Sequence, residues 1–248
     1  AFLVSMRPLN RINSIPYKII TDNMSFDAYF TMWENVPRLG RYIWNSFFIA
    51  TCVTLIVLVA VIPAAWAFAR FEFKGRDPML AAFLAINMVG GAVLIIPLFQ
   101  LMRSLGLLNT YLAMIIPGAA FLIPTAIWLL RSYLMKIPRE LEEAGMMDGC
   151  SRLRVILTIT LPLSLPAMAS VALYVFMIAW NEFLFAFMFL DDPQKFTLSR
   201  GVVSLNSSEV PRQHLMAGAV IATAPILVIF LWAERFLVQG LTAGSVKG

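Results

Sequence analysis

From Tyr42 through Ala69, 28 consecutive residues carry no charged side chain. About 20 apolar residues in a helix are enough to cross the hydrocarbon of a bilayer. There the backbone must satisfy its own hydrogen bonds, which leaves helices or closed barrels as the spanning structures. The run is therefore a long, tilted or projecting helix, with Pro63 as a possible kink. The rest of the chain agrees, since 60% of its 248 residues are apolar and only 13% are charged. A soluble domain of this length needs a more charged surface. The class is an all-α membrane protein.

Four further apolar stretches follow. Residues 79–102 are interrupted by Asn87, Gly90, Gly91, Pro97 and Gln100, and residues 111–130 hold Pro117, Gly118 and Pro124. Residues 164–190 and 215–233 complete the set. Ala1 to Met6 reads as the end of a further span, with the natural chain expected to be longer by most of one helix. That makes six transmembrane helices. The intervening prolines and glycines either let helices bend or shape static packing.

The net charge of +5 raises nucleic acid, but the basic residues lie in short loops beside apolar runs. That placement fits headgroups and protein partners, so nucleic acid is excluded. Lysine and arginine divide ten to nine between alternate sides. They are densest in Arg70–Asp77, which puts the side holding residues 138–162 inside. Cys52 and Cys150 have neither pairing nor metal-binding spacing. No metal site is expected. The phosphate-binding pattern G-x-x-x-x-G-K-[ST] is absent, so any ATP must be bound by another subunit.

Residues 138–162 form a polar island. Pro138 suits a helix start, and Glu140, Glu142 and Glu143 complement the positive end of a helix dipole. Gly149 ends this first helix in a left-handed conformation. Ser151 caps a second, in which Leu153, Ile156, Leu157 and Leu161 recur at helical spacing. Pro162 and Pro166 are expected to close it and redirect the chain. Two short helices at an angle make a rigid knob between spans. Asp148 with Arg152 or Arg154 is expected to brace it internally.

The spacing Glu143-Ala144-Gly145, Gly149, Ile159-x-Leu161-Pro162 resembles the EAA loop of permease subunits in bacterial ABC importers. Gly145 departs from that pattern, where a second alanine is usual, and costs the helix about 1 kcal/mol. Trp180-Asn181-Glu182-Phe183 and the C-terminal Gly240 to Gly248 are similar to the carbohydrate-uptake, maltose-permease branch. The resemblance implies a cytoplasmic two-helix coupling loop that docks an ATP-hydrolysing subunit. Glu143, Ala144, Gly145, Asp148, Gly149, Ile159, Leu161 and Pro162 would form it. The tail at 238–248, with Lys247 and Gly248, would lie between two such ATPases. The implied partners are two ATP-binding cassette subunits, a second, non-identical permease and a periplasmic or lipid-anchored sugar-binding protein. ATP and Mg belong to the ATPases, and this chain carries no cofactor. The implied location is the bacterial inner membrane.

Glu182 is the most conspicuous charge in a span, and such a residue must face protein or water. With Trp180 and Asn181 it could meet a sugar, or it could pair with a neighbouring helix near the outer interface. Asn45 and Asn87 are further candidates for the substrate path, although buried amides in spans usually bond to adjacent helices. Residues 191–214 make an outer loop that either reaches toward the binding protein, as the resemblance implies, or is a solvated connector. Aromatics at Tyr174, Phe176, Phe183, Phe185, Phe187 and Phe189 cover more than one face, which fits packing and lipid. An ion-coupled secondary carrier is the alternative, and it would favour more buried charge than Glu182. An intramembrane enzyme would need a nucleophile or ligand cluster, and the sole histidine, His214, has none beside it.

Overall fold

The computed structural model describes residues 25–35, 38–88, 91–204 and 212–242, and leaves the side chains of 34, 35, 87, 92, 212–215 and 232–242 undescribed. The expectations for residues 1–6, for the Asn87 side chain and for Lys247 and Gly248 lie outside that set. Among the described residues the order is α1 (Asp27–Asn35), α2 (Leu39–Arg70), α3 (Arg76–Met88), α4 (Gly91–Ser104) and α5 (Leu112–Leu134). Then come α6 (Glu140–Met147), α7 (Arg152–Val155), a π-helical turn (Ile156–Thr160) and α8 (Leu161–Trp180). The chain ends with α9 (Leu184–Phe189), α10 (Leu198–Ser204) and α11 (Arg212–Thr242). Three helices are long and apolar enough to cross a membrane: Leu39–Arg70, Leu112–Leu134 and the continuous Arg152–Trp180.

Each expected apolar stretch is helical among the described residues, with two corrections. Within residues 79–102 the described helices are α3, to Met88, and α4, from Gly91. The stretch 164–190 stops being one helix at Trp180 and restarts at Leu184. Its break coincides with Asn181 and Glu182, whose side chains can compete for backbone groups. Finally, Pro162 and Pro166 close nothing. Arg152–Trp180 is one helix of 29 residues running through both prolines. The π turn ends at Thr160, so the chain is wide where the Pro162 ring would otherwise meet the preceding turn.

The described chain packs as two units. One comprises residues up to Ile49, Phe99–Met114 and Trp180–Val228. Its order comes from side chains that bond to irregular backbone. Asn45 Nδ2 donates to the carbonyls of Gln194 (3.0 Å) and Phe196 (2.9 Å), while its Oδ1 accepts from the Tyr111 hydroxyl at 2.9 Å. Ser46 Oγ accepts from Leu198 N at 2.8 Å. Asn109 takes a positive φ of 59°. Its Oδ1 accepts from the amides of Asp191 and Asp192, and its carbonyl accepts from Lys195 Nζ at 2.8 Å. Arg200 donates to the Ala186 and Phe187 carbonyls near the end of α9, and its guanidinium lies 4.2 Å from the Phe196 ring centroid. A Cβ at Gly201 would fall 2.2 Å from a Tyr42 ring carbon, so only glycine fits against that ring.

The other unit comprises Ala50–Leu98, Ile115–Ala179 and the residues from Ile229 onward. Its core includes a stripe on α2: Ala50, Val53, Val57, Val61 and Ala65 are all buried, at the spacing of one helix face. Small and β-branched residues let helices approach closely where lipid supplies no hydrophobic drive. Gly118 on α5 shows the result, since a Cβ there would already touch Val53 at 3.5 Å. The polar island belongs wholly to this second unit.

Candidate functional site

The knob is two helices folded back at a glycine. Asp148 caps α6, and Gly149 follows with a φ of 84°. Gly149 N donates to the Met146 carbonyl at 3.0 Å and Cys150 N to the Gly145 carbonyl at 3.1 Å. These two bonds are the Schellman pattern, which satisfies carbonyls that the helix end would otherwise leave open. Ser151 then starts α7 in extended conformation, its Oγ accepting from Arg154 N at 3.4 Å. Both the glycine stop and the serine cap are where the sequence placed them.

The second helix is not a separate short piece. It is the first turns of Arg152–Trp180, so whatever moves the knob moves a membrane-spanning helix directly. The π turn lies at the join, where Leu161 N donates to the Ile156 carbonyl.

What holds the knob in place is a residue the motif does not emphasise. Glu142 is 4% exposed. Its Oε1 accepts from Arg70 Nη2 (2.8 Å), Arg70 Nε (3.0 Å) and Thr160 Oγ1 (3.0 Å), and its Oε2 accepts from Trp66 Nε1 (3.1 Å). Arg70 Nη2 also donates to the Ile137 carbonyl at 3.1 Å. One carboxylate thus joins the end of α2, the start of α6 and the π turn. Buried charges persist where they are paired and fully hydrogen-bonded. Phe71 extends the same socket, packing edge-on against Trp66 with centroids 5.2 Å apart and lying under the Arg152 guanidinium at 5.3 Å.

The sequence carried a signal for this socket. Trp66 and Arg70 sit one helical turn apart at the end of α2, and Glu142 and Gly145 share a face of α6 three residues apart. Gly145 is buried against the second helix, where an added Cβ would come 2.6 Å from Ile159 Cδ1. The departure from alanine therefore has a local reason: it admits the Ile159 methyl. Asp148 makes no ion pair with Arg152 or Arg154 within 4.0 Å, which corrects the expected internal brace. Arg152 lies instead over Phe71.

With Glu142 and Gly145 turned inward, the apolar residues face out. Leu141, Met146, Met147, Leu153 and Leu157 are exposed, Met147 at 89%. Glu143, Ala144 and Asp148 are exposed among them, while Ile159 is half-buried. A short helix that buries its carboxylate and presents methionine and leucine is inverted for an isolated loop. Methionine-rich apolar surface adapts to a partner.

Of the candidates for a substrate path, Asn45, Trp180, Asn181 and Glu182 lie in the other unit, and the structure ties most of these four into packing. Asn45 is 2% exposed, with both amide hydrogens donated to backbone carbonyls. Trp180 is buried and donates to the Ala222 carbonyl at 3.0 Å. Glu182 is half-buried at the break before α9, and its Oε1 accepts from Phe185 N at 2.9 Å. It holds its own following turn, and no ion pair to a neighbouring helix is found for it among the described residues. Asn181 beside it is exposed. Of the aromatic run, Phe185 and Phe189 stack in the interior with centroids 5.5 Å apart, whereas Phe187 is exposed. Among the described residues no three His, Cys, Asp or Glu side chains group to hold a metal.

Known proteins align with this arrangement over most of its length. A family model described as binding-protein-dependent transport system inner membrane component matches residues 39–243. An inner membrane ABC transporter permease of Escherichia coli K12, YcjP, is 39% identical over 208 residues, covering 84% of this chain and 74% of its own length. The trehalose/maltose transport system permease MalG of Thermococcus litoralis is 40% identical over 209 residues, covering 84% and 75%. Among solved structures, a bacterial ABC transporter involved in import of the acidic polysaccharide alginate superposes with a TM-score of 0.78. That match has 23% identity and covers 94% of this chain and 87% of the other, so it speaks to the fold. The chain belongs to the family of inner-membrane components of binding-protein-dependent transport systems, the permease subunits of ABC importers.

Proposed function

We propose that this chain is one of two permease subunits of an ATP-driven importer of a sugar or oligosaccharide. The reading rests on the family, whose members work with an ATPase and a binding protein, and on relatives named for such cargo. These include a trehalose/maltose permease and an arabinooligosaccharide permease of Halalkalibacterium halodurans. The observation that carries the role of this chain is the knob. Its carboxylate Glu142 is anchored inside, and its methionines, leucines and Glu143 are left facing out.

In this proposal the outward face of α6 seats in an ATP-hydrolysing subunit on the cytoplasmic side, with Glu143 opposite a basic residue there. Ala144 and Asp148 border that contact. Gly149 sets the angle between the helices, and Gly145, Ile159, Leu161 and Pro162 shape the join to the spanning helix. Two such subunits close on ATP, and each draws a knob. Because α7, the π turn and α8 are one helix, the displacement passes directly into a span. The spans then reorient a cavity from outward- to inward-facing. The second permease is a different chain, and a sugar-binding protein delivers cargo at the outer face near 191–204. Lys247 and Gly248 would lie between the ATPases. Trp180, Asn181 and Glu182 remain near the path as a break in the span, with Asn181 the exposed member. Asn87 is retained as a path candidate from sequence.

Reconstitution tests this reading. Proteoliposomes holding this chain, its partner permease and the ATPases, supplied with the binding protein, should accumulate labelled oligosaccharide only with internal ATP. Uptake driven by an ion gradient without ATP would favour a secondary carrier instead.

A further inference from the structure

Two cavities adjoin at one lysine, both within the unit that carries the knob. The first is an apolar groove of about 260 Å³ along α5 and α8, lined by Leu129, Ala167 and Val171 with Tyr133 and Lys136 toward its end. The second is a polar pocket of about 370 Å³ at the foot of the knob, lined by Lys136, Ile137, Pro138, Arg139 and Glu140 beside Arg70. Lys136 belongs to both.

The chemistry of the two halves differs as the halves of a lipid do. Leu129 lies seven residues before Lys136, so the groove runs about 10 Å back along α5 into the apolar span. Lys136 comes two residues after α5 ends, at the depth where a span meets headgroups. Lys136 and Arg139 are exposed, and among the described residues neither side chain has an ion pair or hydrogen bond. Arg70, by contrast, is committed to Glu142 and Ile137. Glu140 also lines the pocket, but it stands in the first turn of α6, where the helix dipole takes up its charge. The groove hydroxyls do not compete for a headgroup: Ser132 donates to the Trp128 carbonyl and Ser170 to the Pro166 carbonyl.

We propose that this composite site binds one anionic phospholipid of the knob-side leaflet, with an acyl chain in the groove and the phosphate between Lys136 and Arg139. The lipid would sit against the foot of the knob, where Pro138 and Arg139 lead into α6. The site stands on the geometry of the cavities and not on the identity of the cargo, so it can fail while the proposed transport function holds.

The test is native mass spectrometry of the assembled transporter, exchanged into nanodiscs of phosphatidylglycerol or phosphatidylcholine and released gently. The wild type should retain phosphatidylglycerol and not phosphatidylcholine. Lys136→Gln with Arg139→Gln should lower retention roughly 30-fold, the scale of two basic residues at a headgroup surface. Both side chains are exposed, so that variant should assemble. Ala167→Phe, which fills the groove without touching charge, should lower retention as well. Equal retention of the two lipids, undiminished retention in both variants, or displacement by inorganic phosphate would each overturn the proposal.

Discussion

At Glu142, a single carboxylate accepts four hydrogen bonds from three parts of the chain, so its removal should be felt by all three. Glu142→Ala leaves Arg70 buried without a counter-charge, and breaking such a pair costs about 3–5 kcal/mol. The expected outcome is a thermal unfolding midpoint lowered well beyond that of an exposed control, Glu140→Ala. Pairing Arg70→Met with Glu142→Leu should recover only part of the loss. The Trp66 indole N–H and the Thr160 hydroxyl would still lack their acceptor. Gly149→Ala is a milder case. Its surroundings are open within 4 Å, so the cost is the left-handed backbone alone, about 1–2 kcal/mol. Gly145→Ala gains about 1 kcal/mol of helix propensity but drives a methyl to 2.6 Å from Ile159 Cδ1. Adding Ile159→Val removes that atom, so the double variant should be more stable than the two single effects summed, as a thermal double-mutant cycle would read. Glu143 was singled out in the sequence because a spaced motif contains it. Glu142, one residue earlier, was not singled out, because its importance comes from Trp66 and Arg70, more than 70 residues away in the chain.

Among the helices, hydropathy found apolar runs that are helical in the structure, but not the break after Trp180. A run of apolar residues says how long a chain can stay in hydrocarbon, while local hydrogen bonds decide whether it stays helical. The break after Trp180 depends on the Glu182 carboxylate reaching Phe185 N, a contact hydropathy does not register. The reverse error occurred at Pro162 and Pro166. Proline reads as a stop, yet the π turn before Pro162 lets the helix continue. Asn45 belongs at this scale too. Its amide pins the backbone at Gln194 and Phe196 and accepts from Tyr111. Asn45→Ala would leave the buried Phe196 carbonyl without that donor, at about 1–3 kcal/mol. Limited proteolysis should then cut residues 191–197 sooner than in the wild type, with the knob's own protection unchanged.

Taken as a whole, the molecule joins the knob to a membrane span without an intervening loop. The family and the all-helical class were readable from composition, apolar runs and one spaced motif. The inverted knob was not. Within Glu140–Met147 the structure buries Glu142 and leaves Leu141, Met146 and Met147 out. That inversion is what the proposed docking role requires of this surface. The measurement that tests it most directly is affinity purification of the tagged chain, wild type and Glu143→Lys, from gently solubilised native membranes. The co-purifying ATP-hydrolysing subunit is then quantified by mass spectrometry, alongside cargo uptake in the same cells. The account predicts that the wild type brings the subunit down, and that Glu143→Lys, equally abundant in the membrane, recovers little of it and transports poorly. Equal recovery together with normal uptake would contradict a docking role for this face.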